Sequence, residues 1–147
     1  MPSPRPFTDA AAALRALWAA RWAGGPSVPV LWGANETRDL PGSKDTLDWV
    51  HLLVEFSGRQ AVAFGGGRGQ AEREATGRVQ ISVMSRRGTG EARNILLLDD
   101  AVGVFEGRRE LGLSFIGDGP AGEGEPSADG AWWVRQASVP FVFRYRA

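Results

Sequence analysis

Two periods of apolar residues divide the chain. After a proline-rich leader, residues 1–7, Leu14, Leu17, Trp18 and Trp22 recur at helical spacing. Thr8 is placed to cap that helix, with Asp9 at its positive dipole end, and Gly24-Gly25-Pro26 ends it. Residues 28–32 form a short β-rich run containing Pro29, which belongs at a sheet edge or strand end because proline cannot donate to a ladder. Between Trp49 and Phe56 the even positions Val50, Leu52, Val54 and Phe56 are all apolar, whereas Trp49, His51, Leu53 and Glu55 are mixed, so one face is committed to a core. A turn at Ser57-Gly58 is expected to lead into residues 61–64. Residues 65–76 read as a flexible, glycine-rich loop, and residues 78–84 alternate with Val79, Ile81 and Val83 inward.

The second half repeats the contrast. Gly88-Thr89-Gly90 is a turn with Thr89 as a capping candidate, and Ile95, Leu98, Val102 and Phe105 then share one face of a helix reaching about residue 106. Leu111, Leu113 and Phe115 alternate as a strand. Residues 117–130 carry Asp118, Glu123, Glu125 and Asp129 among Gly, Pro and Ser and read as an exposed loop. Residues 132–146 alternate over a long span, with Trp133, Ala137, Val139, Phe141, Phe143 and Tyr145 on one face and Gln136, Ser138, Arg144 and Arg146 on the other. Pro140 marks a bulge or an edge there. This order predicts an α+β fold, a mainly antiparallel sheet with two amphipathic helices packed on one face, in a single domain over residues 1–147.

Composition narrows the function classes. With 17 basic and 17 acidic residues the formal net charge is zero, which disfavours a free-standing nucleic-acid binder. All basic residues but Lys44 are Arg. Cysteine is missing, so disulfides, thiolate zinc sites and cysteine nucleophiles fall away, in keeping with folding in the cytoplasm. The leader lacks the apolar run of a signal peptide, and Arg15 and Arg21 interrupt the one apolar stretch near it, so no membrane span is expected.

Candidate chemistry is sparse. The single histidine, His51, could form a base–acid pair with Glu55 in a small hydrolase, but no nucleophile sits on a recognisable turn, and one histidine cannot build the usual multi-histidine zinc or iron sites. Asp99 and Asp100 project about 100° apart on a helix and do not face one metal together. The acidic loop has oxygens for Ca²⁺ without the order of an EF-hand. Gly65-Gly66-Gly67-Arg68-Gly69 resembles a phosphate loop only loosely, with no following Lys and with Gln70 where the dinucleotide pattern needs glycine. No cofactor or metal is expected.

Aromatic residues are in surplus, with six Trp, seven Phe and one Tyr. Most serve a core. Trp132 and Trp133, being consecutive in a strand, must point to opposite faces, and Trp49 lies opposite the core face of its own strand. At least one large aromatic therefore belongs to a second buried surface, which hints at subunit contacts.

Taken in order, the Ala- and Trp-rich first helix, Val-Pro-Val-Leu-Trp-Gly-Ala-Asn at residues 28–35, the strand at 49–56, the glycine-rich loop, Gly-Arg-Val-Gln-Ile-Ser-Val at 77–83, the helix with Leu97-Leu98-Asp99-Asp100 and the closing strand from Trp132-Trp133 resemble the phage tail-terminator-like proteins, including those of prophages and gene transfer agents. The resemblance spans about residues 7–146. It implies a virion protein of the tail and neck, assembled in the bacterial host cytoplasm into a ring, usually a hexamer. Such a ring caps the head-proximal end of the tail tube, contacts tail-tube and neck or head-completion proteins, and meets DNA only as it passes through the lumen. No catalytic residue belongs to that role. The expected contact positions are Trp49, His51, Gly66, Arg68, Gln70, Trp132 and Arg144. The alternatives are a head–tail connector or head-completion protein, and a small hydrolase or metal-binding domain.

Overall fold

In a computed structural model of the chain, residues 5–22, 28–33, 48–63, 71–115, 121–128 and 130–146 are described. Helix α1 spans Pro6–Arg21 and strand β1 Val30–Trp32, followed by β2 (Asp48–Ala63) and β3 (Glu72–Arg86). Helix α2 spans Glu91–Gly103, and β4 (Arg109–Glu110), β5 (Leu113–Ser114), β6 (Glu125–Pro126) and β7 (Trp132–Arg146) complete the order. One sheet runs β1-β2-β3-β7-β5-β4, with β6 also on β7. Every pairing is antiparallel except β1 on β2. The fold is α+β, and both helices bury residues in one core cluster on a single face of the sheet.

Strand β7 keeps its expected ends. Its ladder with β3 runs without a register shift from Glu72↔Arg146 to Arg86↔Trp132, through Arg78↔Pro140. Pro140 is tolerated because its ring nitrogen faces away from β3: Gln136 accepts from Gly122 on that side and Arg144 donates to Gly112 there, and Pro140 shares their parity. Residues on that side pair at Ala137 and again at Val142, leaving Pro140 between them.

Four expectations are corrected. First, Ser57-Gly58 is no turn: β2 continues to Ala63, with a bulge between Phe56 and Gly58, and β3 starts at Glu72 rather than 78, so residues 72–76 of the expected loop are strand. Ser57 and Thr76 hydroxyls lie 3.0 Å apart across the bulge, occupying the polar groups that the sequence offered to a turn. Second, Thr8 does not cap α1. The helix opens on Pro6 after Arg5, and Asp9 N–H donates to the Arg5 carbonyl at 2.8 Å, so Thr8 already sits inside the first turn. Thr89 likewise donates to the Arg86 carbonyl at 2.7 Å instead of capping α2.

Third, α2 buries Asn94, Leu97, Leu98 and Ala101, leaving Ile95 outside. Asn94 turns inward because it is fully satisfied there: its amide donates to Ser85 Oγ and the Trp133 carbonyl, both at 3.2 Å, and its oxygen accepts from Arg135 Nε at 3.2 Å. Fourth, Leu111 is not in a strand. Leu111 and Gly112, at φ 56° and 81°, form a two-residue hairpin turn between β4 and β5.

The core is aromatic at its centre. Phe105 is fully buried, 5.7 Å from the Trp18 ring and 5.5 Å from Phe115. Trp18 also stacks on Trp22 and meets Trp32 edge-on, so β1 is held to α1 by indole contacts as well as by its ladder.

Candidate assembly surface

Alternation along β2, β3 and β7 sends one set of side chains to the helices and the other to the open face. The open face carries Trp49, His51, Leu53 and Glu55 from β2, facing Met84, Ser82, Gln80 and Arg78 of β3. Next to these stand Val134, Gln136, Ser138 and Pro140 of β7. Strands of 15 and 16 residues make this face about 50 Å long at ~3.3 Å per residue.

Trp49 and Trp132 meet at one end of it. Their rings are edge-to-face at 6.0 Å, and with Met84 they form a second buried cluster flanked by Leu31, Ala131 and Val134. Arg86 lies over the Trp132 ring at 4.5 Å. The expected opposition of Trp132 and Trp133 is observed: Trp133 pairs with Ser85, whose hydroxyl accepts from α2. Because Trp49 and Trp132 are only 6% and 7% exposed within one copy, they stiffen this end of the sheet and offer a partner little area.

His51 is engaged locally. Its Nε2 donates to the Gly33 carbonyl at 2.8 Å, which fixes the ring and ties the end of β1 to β2. Glu55 is instead bound by Arg78, at 2.7 and 2.9 Å, and four residues of strand separate it from His51 by about 13 Å. The pairing that a hydrolase would need is not formed. Arg144 stands at the other end of the sheet with Nε 3.2 Å from Glu74. Gly66, Arg68 and Gln70 lie outside the described residues. The expected contact positions therefore divide: Trp49, His51 and Trp132 gather at one end, and Arg144 lies about 40 Å along β7 from Trp132.

The acidic segment, read as a free loop, is partly strapped to the sheet: β6 pairs with Trp133 and Val134, and Arg135 donates to the Gly122 carbonyl at 3.4 Å and to Glu91 of α2 at 2.8 Å. A Cβ on Gly124 would strike Trp133 Nε1, so only glycine lets the strap lie this close. Glu123 and Glu125 are exposed, while Asp118 and Asp129 lie outside the described residues. Among the described residues no group of three or more His, Asp or Glu could hold a metal, and no helix is long and apolar enough to cross a membrane.

Sequence reasoning missed a different surface. Phe7 and Phe56, with rings 4.6 Å apart, are 36% and 37% exposed, and Ile95 and Leu96 on α2 are 43% and 60% exposed. Period alone assigns Phe56 and Ile95 to a core face; Phe56 stays on the helix side against Phe7 and Phe141 but keeps part of its ring exposed, and the inward Asn94 leaves Ile95 outside.

No family model matches the chain, and no curated protein matches it in sequence. A solved structure whose name states no function superimposes with a TM-score of 0.62 at 13% identity, covering 95% of this chain and 96% of its own. That likeness extends to the fold and no further.

Proposed function

We propose that this chain is a structural subunit of a phage-type tail, a terminator that closes into a ring at the head-proximal end of the tail tube and joins it to the neck. The observation that carries the reading is the uneven covering of the sheet. Both helices lie on one face, and among the described residues three strands run without a helical layer on the other. An antiparallel sheet tolerates water on one face, which leaves this one free to meet a neighbour. A ring subunit has use for such a face, as a wall toward a lumen or a neighbouring ring.

The chemistry of that face agrees. Glu55 with Arg78 and Glu74 with Arg144 cancel their charges, and Gln80, Ser82 and Gln136 continue the face beyond Arg78 toward Trp49. A wall of neutral polar groups and paired charges holds a passing DNA backbone weakly, since affinity for DNA comes from unpaired cations. Expressing the chain with its tail-tube subunit and imaging the tubes tests the role: tubes of uniform length ending in a ring support it. Tubes that grow without limit and bear no added ring contradict it.

A further inference from the structure

The two exposed apolar pairs sit in opposite charge. Beside Phe7 and Phe56, the Arg59 guanidinium lies 5.9 Å from the Phe7 ring and Arg5 is exposed at the start of α1. Asp9, two residues on from Phe7, points about 200° around the helix from it. On α2, Ile95 stands four residues before Asp99, and Leu96 three before Asp99 and four before Asp100, a spacing that gathers the four exposed side chains into one patch. Neither aspartate, nor Arg59, forms an ion pair among the described residues. Both aspartates also sit toward the C-terminal end of α2, whose last turn has no basic residue, so they oppose the helix dipole and do nothing for the helix itself.

We propose that these patches meet between copies of this chain: Phe7, Phe56 and Arg59 of one copy against Ile95, Leu96, Asp99 and Asp100 of the next. Aromatic rings and an arginine are what interface centres favour, and the aliphatic pair supplies the complementary apolar surface. The charges fix orientation, because arginine then faces carboxylates and either patch against itself would juxtapose like charges. Since the two patches differ, the contact is heterologous, each copy uses both, and successive contacts close into a ring when the rotation permits. The inference rests on the self-assembly part of the function proposed above and does not depend on the tail.

The test uses two surface-blocked full-length proteins, one carrying Phe7→Ser with Arg59→Glu and the other Ile95→Ser with Leu96→Ser, each checked for wild-type circular dichroism and melting. In sedimentation experiments each block weakens self-association by roughly thirtyfold, the loss of one interface anchor. Mixed in equal amounts, the two proteins form a one-to-one heterodimer and nothing larger, because each retains one good patch. Wild-type protein that stays monomeric overturns the self-assembly reading together with this contact. Blocked proteins that assemble like wild type, or a mixture that stays monomeric while the wild type assembles, overturn the contact alone.

Discussion

Arg93 of α2 grips Asp48 at the first position of β2, with Nε 2.8 and 3.1 Å from the two carboxylate oxygens and a guanidinium Nη2 2.7 Å from Oδ2. The pair pins the start of α2 to β2 across 45 residues of sequence. The carboxylate side chain is 9% exposed and the guanidinium 45%, so the partners are unequal. Removing Arg93 strands a buried carboxylate, while removing Asp48 leaves a cation that can turn to water. Arg93→Ala should therefore lower stability by about 1–3 kcal/mol, and Asp48→Asn by less. Urea titration of both variants checks the order, and the reverse order would show that the pair does not act this way.

The hydrogen bond and charge of Asp48 raise the Arg93 pKa above its ordinary value, against the effect of burial. A raised folded-state pKa contributes stability that is complete below the unfolded value and lost only as pH climbs through the folded one. Both lie far above neutrality, so melting temperature should show no alkaline decline traceable to this pair between pH 7 and about pH 10. The difference in melting temperature between wild type and Arg93→Ala should stay flat over that window.

Leu111 holds a left-handed backbone, φ 56°, with 57% of its surface exposed. A bulky residue in that region is strained, and the two-residue turn with positive φ at both positions favours Asn-Gly. Leu111→Asn should raise stability by about 0.5–1 kcal/mol, read as an upward shift in thermal midpoint. A downward shift would mean that the leucine contributes packing which outweighs its strain.

Much of the sheet is legible in the sequence, and the reasons for the failures are physical. Residues 132–146 alternate over most of their length, with Ala137, Val139, Phe141 and Phe143 all buried on one face, and a period of two leaves little freedom about which face that is. Ser57-Gly58 fails because a serine and a glycine suit a bulge as well as a turn, and Thr76, far away in sequence, decides between them. Ile95 fails because periodicity counts apolarity and cannot see that Ser85, Trp133 and Arg135 would satisfy Asn94 inside. Of the contact surface, Trp49 and Trp132 are legible as a second cluster, but their cover is supplied by Met84 and Arg86 across the strands. The exposed Phe7 and Phe56 pair depends on a contact between the start of α1 and β2, which local pattern does not encode.

Gly77 is fixed by its neighbours. A Cβ there would meet the Glu55 carbonyl oxygen and come within 2.9 Å of Phe141 Cζ. Gly77→Ala should cost about 1–3 kcal/mol by forcing β2 and β3 apart beside the bulge. Hydrogen exchange localises the effect: amides of residues 54–60 and 75–79 should lose protection first, and uniform loss would place the damage elsewhere.

Asp99 and Asp100 carry opposite consequences for one copy and for many. Replacing both with Asn removes two negative charges from the wrong end of α2 and should stabilise the single copy by about 0.3–1 kcal/mol. The same change should weaken association. The stability comparison is made in the Phe7→Ser, Arg59→Glu background, where assembly no longer adds to the apparent midpoint. A loss of stability there would assign the aspartates to the fold.

The most direct measurement is the mass of the purified full-length protein over a range of concentrations, by sedimentation equilibrium and native mass spectrometry, with images of the same sample. A subunit that closes on itself predicts one discrete oligomer with a ring outline, populated increasingly with concentration, and no continuous ladder of sizes. A protein that remains monomeric at every concentration would contradict the account.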